Sequence, residues 1–197
     1  MRALEPTLEP GRVYRTKEFG QWARNPFALA SRLEREGKLT HLGYGLYHHP
    51  KQGPWGPRPP KTEELIRAFL VGRPFLVTGS MMWNRLGLGT TQRSMVPTIY
   101  NTHRSGLFAL NGLKLEFKRS RFPALATPEW FAVDFLNNLD IVVDAQPARN
   151  LAALRRRFDS KEMDRQAFAA ALAEYGTRTT KNLVAAHGLL EAGSDVA

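Results

Sequence analysis

A proline suited to opening a helix, a glycine suited to closing one and a Gly-Tyr-Gly turn follow one another between Pro26 and Gly45. This succession constrains the fold more than any other part of the chain. Thr16 is a good N-cap for a helical run starting at Lys17. Asn25 is placed to cap the next helix, with Pro26 at its first position, where a missing N–H costs nothing. Phe27, Ala30 and Leu33, with Leu29 beside them, recur at three- and four-residue spacing and predict one apolar face. Arg24, Ala28, Ser31, Arg32 and Arg35 fall on the opposite face. Gly37 fits the left-handed residue that ends a helix. Leu39, Leu42, Leu46 and Tyr47 then flank Gly43-Tyr44-Gly45 as the anchors of a two-stranded ribbon. Helix, turn, second helix and ribbon are the parts of a winged helix-turn-helix, a unit that lays its second helix in the major groove of DNA. The same parts also describe a helical hairpin with a solvated basic face, and winged units serve protein contacts too.

Charge favours the first reading. The net charge is +10, distributed as +5 over residues 1–60, +7 over 61–126 and −2 over 127–197. The first two thirds therefore face a polyanion, while the tail is nearly neutral. The absence of cysteine excludes a disulfide scaffold, a thiolate metal site and a catalytic thiol. No apolar run approaches membrane-spanning length, and Met1-Arg2-Ala3-Leu4-Glu5-Pro6 lacks the apolar core of a signal peptide. The expectation is a soluble cytoplasmic protein with no membrane partner.

Pro and Gly density marks residues 51–60 as a stiff, partly extended linker, with Trp55 expected to dock on a flanking domain. The expected domains are thus a winged helix-turn-helix over 1–50, the linker, and an α+β interaction domain over 61–197 ending in a helical bundle. In that domain an acid-rich helix begins at Thr62, a short strand covers 74–78, and a helix from Ser80 ends at Gly87. A further strand covers 96–101. Asn111-Gly112 between two apolar runs predicts a hairpin with a type I′ turn. Helices are expected from Pro128, over 149–158, over 161–175 and over 180–190, with 192–197 frayed. The fold class is α+β.

The run Arg32-Leu33-Glu34-Arg35-Glu36-Gly37-Lys38-Leu39, followed by Gly43-Tyr44-Gly45-Leu46-Tyr47-His48-His49-Pro50, resembles the N-terminal winged helix of AbiEi-like antitoxins of type IV toxin–antitoxin systems. Val77-Thr78-Gly79-Ser80, Leu86-Gly87-Leu88, the strand at Val96-Pro97 to Tyr100-Asn101 and the basic hairpin resemble the start of that family's second domain. The resemblance covers residues 12–125. It implies a transcriptional autorepressor that binds repeats in its own promoter and neutralises a nucleotidyltransferase-like toxin. A first helix of the winged unit is hard to find, because Leu4 to Gly11 carries two prolines.

The residues assigned to DNA are Arg24, Asn25, Ser31, Arg32 and Arg35 at the groove, with Arg32 suited to bidentate contact with guanine. Lys38, His41, Tyr44 and Lys51 are assigned to the phosphate backbone. The alternative class is a Mg²⁺-dependent nuclease built on Glu116 and Lys118, which an alternating strand puts on one face. No Asp precedes Asp134, so the usual first metal ligand is missing from its side. Asp140 and Asp144 fit a turn beside a buried run, and the five histidines have no metal-ligand spacing. No catalytic residue, metal or cofactor is assigned. Arg155-Arg156-Arg157 fans around a helix, as a solvated face paired with Asp159 and Glu162 or as an anion contact.

Overall fold

The computed structural model describes residues 6–88, 96–142 and 146–191, and Asp144 and the segment 192–197 lie outside them. The chain is mixed α+β. Strand β1 (Val13–Arg15) leads into a 3-10 turn (Thr16–Gln21), α1 (Pro26–Arg35), β2 (Thr40–Gly43), β3 (Leu46–His48), β4 (Gln52–Gly53), β5 (Gly56–Pro57) and α2 (Thr62–Phe69). Next come β6 (Phe75–Thr78), α3 (Ser80–Arg85), β7 (Thr98–Asn101), β8 (Gly106–Leu110) and β9 (Leu113–Arg119). Helices α4 (Pro128–Asn137), α5 (Pro147–Asp159), α6 (Arg165–Tyr175) and α7 (Arg178–Ala186) complete the order, with a 3-10 turn at Leu139–Ile141. Among the described residues no helix is long and apolar enough to cross a membrane. Contacts divide the chain into one unit of Met1–Phe75 with Asn101–Arg119 and another of Leu76–Tyr100 with Ser120–Ala197.

In the first unit, β1, β3 and β2 form an antiparallel sheet in that order, with Tyr14 opposite Tyr47 and Arg15 opposite Leu46. The β2–β3 turn needs left-handed backbone at three consecutive residues, with φ of 96° at Gly43, 51° at Tyr44 and 70° at Gly45. A Cβ at position 45 would meet the Thr16 hydroxyl at 2.9 Å. That hydroxyl donates to the Gly45 carbonyl at 3.0 Å, so Thr16 ties the turn to the sheet and does not cap a helix from Lys17, as its sequence position suggested. The Arg15 N–H is instead satisfied by the Glu18 carboxylate at 2.7 Å, and the run is a 3-10 turn.

Asn25 Oδ1 accepts from the Ala28 N–H at 3.1 Å, and Pro26 occupies the first turn of α1. Gly37, at φ 71°, ends the helix, and the Lys38 N–H returns to the Leu33 carbonyl at 2.9 Å. Leu29, Ala30 and Leu33 join Tyr14, Phe19, Leu39 and Tyr47 in one buried cluster. Phe27 does not, being 65% exposed. Three-residue steps drift by about 60° around a 3.6-residue helix, so Phe27 lies about 120° from Leu33 and leaves the apolar face.

Residues 51–60 are not a plain linker. β4 and β5 pair as a small hairpin, Gln52 with Pro57 and Gly53 with Gly56, and Trp55 at its turn is fully exposed and not docked on a flanking domain among the described residues. Proline permits this because each strand is two residues long and offers only edges. The unit also extends past residue 50. The Tyr44 ring sits 5.7 Å from Phe69 and 5.4 Å from Phe108, and Phe69 lies 4.9 Å from Phe117. Asn111 (φ 49°) and Gly112 (φ 75°) give the β8–β9 hairpin its primed turn, and the Asn111 N–H donates to the Leu42 carbonyl at 2.8 Å. An aromatic cluster on α2, β8 and β9 thus holds the β2–β3 turn, which is why contacts group those elements with residues 13–48.

The second unit is built on α4 to α7. Trp83, Leu88, Val133, Phe135, Leu154, Phe158, Phe168 and Leu172 form its core. α6 begins at Arg165, later than the position 161 that spacing suggested, because Lys161 is left-handed (φ 60°) and Asp164 caps the helix. Buried Asp134 accepts from Thr78 Oγ1, from Trp83 Nε1 at 2.9 Å, from Tyr100 OH at 2.7 Å and from Asn138 Nδ2 at 3.2 Å. In the triple-arginine run, Arg155 donates to the His187 and Gly188 carbonyls at 2.8 and 3.0 Å, closing the end of α7. Arg157 pairs with Glu162 at 3.7 Å, while Asp159 pairs with Arg165.

Candidate nucleic-acid interface

Burial of Leu29, Ala30 and Leu33 fixes the rotation of α1 and turns Phe27, Ala28, Arg32 and Arg35 outward, with Ser31 half-buried between them. Arg24, just before the helix, is exposed as well. The assigned residues differ in what already engages them. Asn25 Oδ1 is occupied as the N-cap. The Ser31 side chain neighbours the phenol of Tyr47, and the Arg35 Nε donates to the Ser31 carbonyl at 3.4 Å. Glu36 reaches Lys38 Nζ at 2.9 Å and Arg32 Nε at 3.6 Å. The hydrogen bond from Lys38, aided by the charges of Lys38, Arg32 and Arg35, holds the Glu36 carboxyl below its ordinary range. Exposed His41 stands 4.9 Å from the Tyr47 ring, and Tyr44 packs in the aromatic cluster.

Lys51 belongs to a different place, a cleft of about 940 Å³ within the same unit. Its walls come from the stretch 9–18, from His48, Lys51, Arg58, Pro59 and Lys61, and from α2 and the turn that follows it. Arg12 is pinned there by Glu9 at 2.7 Å and Glu18 at 2.9 Å, over the Tyr14 ring. Arg67 is held by Glu63 at 2.7 Å. Arg15, Lys17, Lys51, Arg58 and Lys61 have no carboxylate within 4.0 Å among the described residues. Sequence reading missed this cleft, because its cations are scattered over fifty residues with no motif. The only trace was the excess of charge in the first third of the chain.

His48 is buried in the cleft wall, and burial, together with neighbouring His49, pushes its pKa below the ordinary value against the pull of a Gly11 backbone bond and Glu64. The unfolded chain therefore binds the proton more readily. The stabilisation from neutral His48 is complete above about pH 6.5 and is lost as pH falls through the lowered folded value. Between pH 7 and 5, Tm should fall further for the native chain than for His48→Gln, as followed by circular dichroism. His103 is likewise lowered, by desolvation and then by the charges of Arg73, Arg104, Arg119 and Arg15. These guanidinium groups make a second concentration of positive charge in the unit. Arg104 lies over the Phe69 ring, 4.3 Å from its centroid.

Glu116 and Lys118 are both exposed on β9, alternating with buried Leu115 and Phe117. Among the described residues no three His, Asp or Glu side chains come together as a metal-holding group. No family model, curated protein or solved structure matches this chain.

Proposed function

We propose that the protein is a DNA-binding transcriptional autorepressor of the AbiEi-like antitoxin kind, recognising repeats in its own promoter and neutralising a nucleotidyltransferase-like toxin. Residues 13–48 act as a winged helix-turn-helix, with α1 the groove-reading helix. One observation carries this reading: α1 is rotated by its buried leucines so that Arg32 and Arg35 project away from the core of their unit, with exposed Arg24 just before the helix. The β1-β3-β2 strand order, with the 3-10 turn and α1 between β1 and β2, supports it. Lys38 and His41 serve the phosphates, while Tyr44 mainly fixes the turn.

The test is fluorescence anisotropy on duplex DNA from immediately upstream of the gene, against a scrambled duplex. Arg32→Ala should weaken the specific complex by about 1–3 kcal/mol and relax discrimination at one base pair. Equal binding of both duplexes by the native chain would refute sequence recognition. Glu36→Gln should act in the other direction. Removing a carboxylate that holds Lys38 and Arg32 exposes both cations to phosphate, so duplex binding tightens and the salt slope steepens by about 0.9 for each phosphate newly neutralised.

A further inference from the structure

The β4–β5 hairpin, whose two ends line a basic cleft, carries a tryptophan in water at its turn. The hairpin is held at its base, where the Arg58 N–H donates to the Lys51 carbonyl at 3.0 Å. The Arg58 side chain lies so close over Gly53 that a Cβ there would meet its Nε at 2.8 Å. Lys51 and Arg58, at the two ends of the hairpin, both line the cleft. Trp55 is three residues from Arg58, at most about 10 Å of extended chain. An indole carries roughly 150–250 Å² of surface that is normally buried, and here none of it is covered.

We infer that this cleft binds an unpaired nucleic-acid strand, its phosphates among Arg15, Lys17, Lys51, Arg58 and Lys61 and one base stacked on Trp55. A groove of cations beside an exposed aromatic ring is the arrangement by which single strands are held without sequence preference. Small-molecule sites are lined mainly by hydrophobic and aromatic side chains with a few polar groups, whereas ten of the eighteen residues lining this cleft are charged, seven of them basic. The site is separate from the groove-reading face of α1 and does not depend on it.

Titration of the full chain with a twelve-nucleotide oligo-dT and a twelve-nucleotide oligo-U, followed by tryptophan emission and by anisotropy, tests this. Both strands should quench Trp55, and the tighter of the two identifies DNA or RNA as the source. Trp55→Ala should weaken binding at least about fivefold, the lower bound for a stacked base. Lys51→Ala with Arg58→Ala should reduce the salt slope by about 1.4. Trp55→Ala should leave duplex binding unaltered, and Arg32→Ala should leave oligo-dT binding intact, so this site and the α1 face fail independently. The inference is overturned if inorganic polyphosphate binds as tightly as the oligonucleotides and Trp55→Ala has no effect. It is overturned equally if anionic phosphatidylserine vesicles quench Trp55 while the oligonucleotides do not, or if the double variant binds oligonucleotides like the native chain.

Discussion

Asp134→Ala is expected to destabilise the unit containing α4 to α7 by about 3–5 kcal/mol, the largest effect of any single polar change in it. The carboxylate accepts bonds from Thr78 on β6, Trp83 on α3, Tyr100 on β7 and Asn138 at the end of α4. All four partners are buried, so truncation leaves donors that water cannot reach. The Asn138 amide retains its bonds to the Asp134 carbonyl at 2.7 Å and to Tyr100 at 3.1 Å, which limits the loss to the side-chain contacts. Asp134→Asn should also be destabilising, because it turns an N–H₂ group towards donors. Urea denaturation gives the magnitude, and hydrogen exchange should show lost protection in the segments carrying β6, α3 and α4. A midpoint shift of less than 1 kcal/mol would mean that the carboxylate is incidental to the packing.

Phe19→Ala should cost a comparable amount in the other unit, about 3–5 kcal/mol. The ring is fully buried at the meeting point of the 3-10 turn, α1 and the sheet. It lies 5.7 Å from Tyr14, 6.1 Å from Trp22 and edge-on to Tyr47 at 5.8 Å. Its removal leaves a void walled by stiff rings that cannot collapse inward, which puts the cost in the upper part of the range for aromatic deletions. Duplex binding should then disappear with the fold of the unit. Arg32→Ala, by contrast, should weaken binding while Tm stays within a degree or two, since its ion pair with Glu36 is exposed. A Phe19→Ala protein with native Tm would show that α1 is supported from elsewhere.

Where a single residue type decides the backbone, the sequence was readable. Asn25-Pro26 opened α1, Gly37 closed it, and Asn111-Gly112 turned the hairpin, each through local chemistry that needs no knowledge of the rest. The failures arose where a side chain had a choice of partner. Thr16 had both a cap and the Gly45 carbonyl within reach, and the carbonyl lies twenty-nine residues away. Phe27 fits two different rows of the same helix, and only the position of the core selects between them. Trp55 was expected to find cover, but a hairpin of two-residue strands has no face to offer it. The arginines of α1 could be named from periodicity, whereas the cleft could not, because its cations come together only after β1, β4–β5 and α2 are placed. Asp134 carried no signal at all. Three of its four partners lie thirty-four to fifty-six residues upstream.

The first unit takes its chain from two separate stretches, ending at Phe75 and resuming at Asn101. On the ribosome, Tyr44 and Phe69 emerge well before Phe108 and Phe117, against which they pack. At usual elongation rates, the interval between residues 75 and 119 lasts about 2–9 s. Throughout it the nascent N-terminal part bears an uncovered aromatic surface that a chaperone would recognise. A stop codon anywhere before Arg119 would make that condition permanent, so shortened products should be cleared by proteases rather than accumulate.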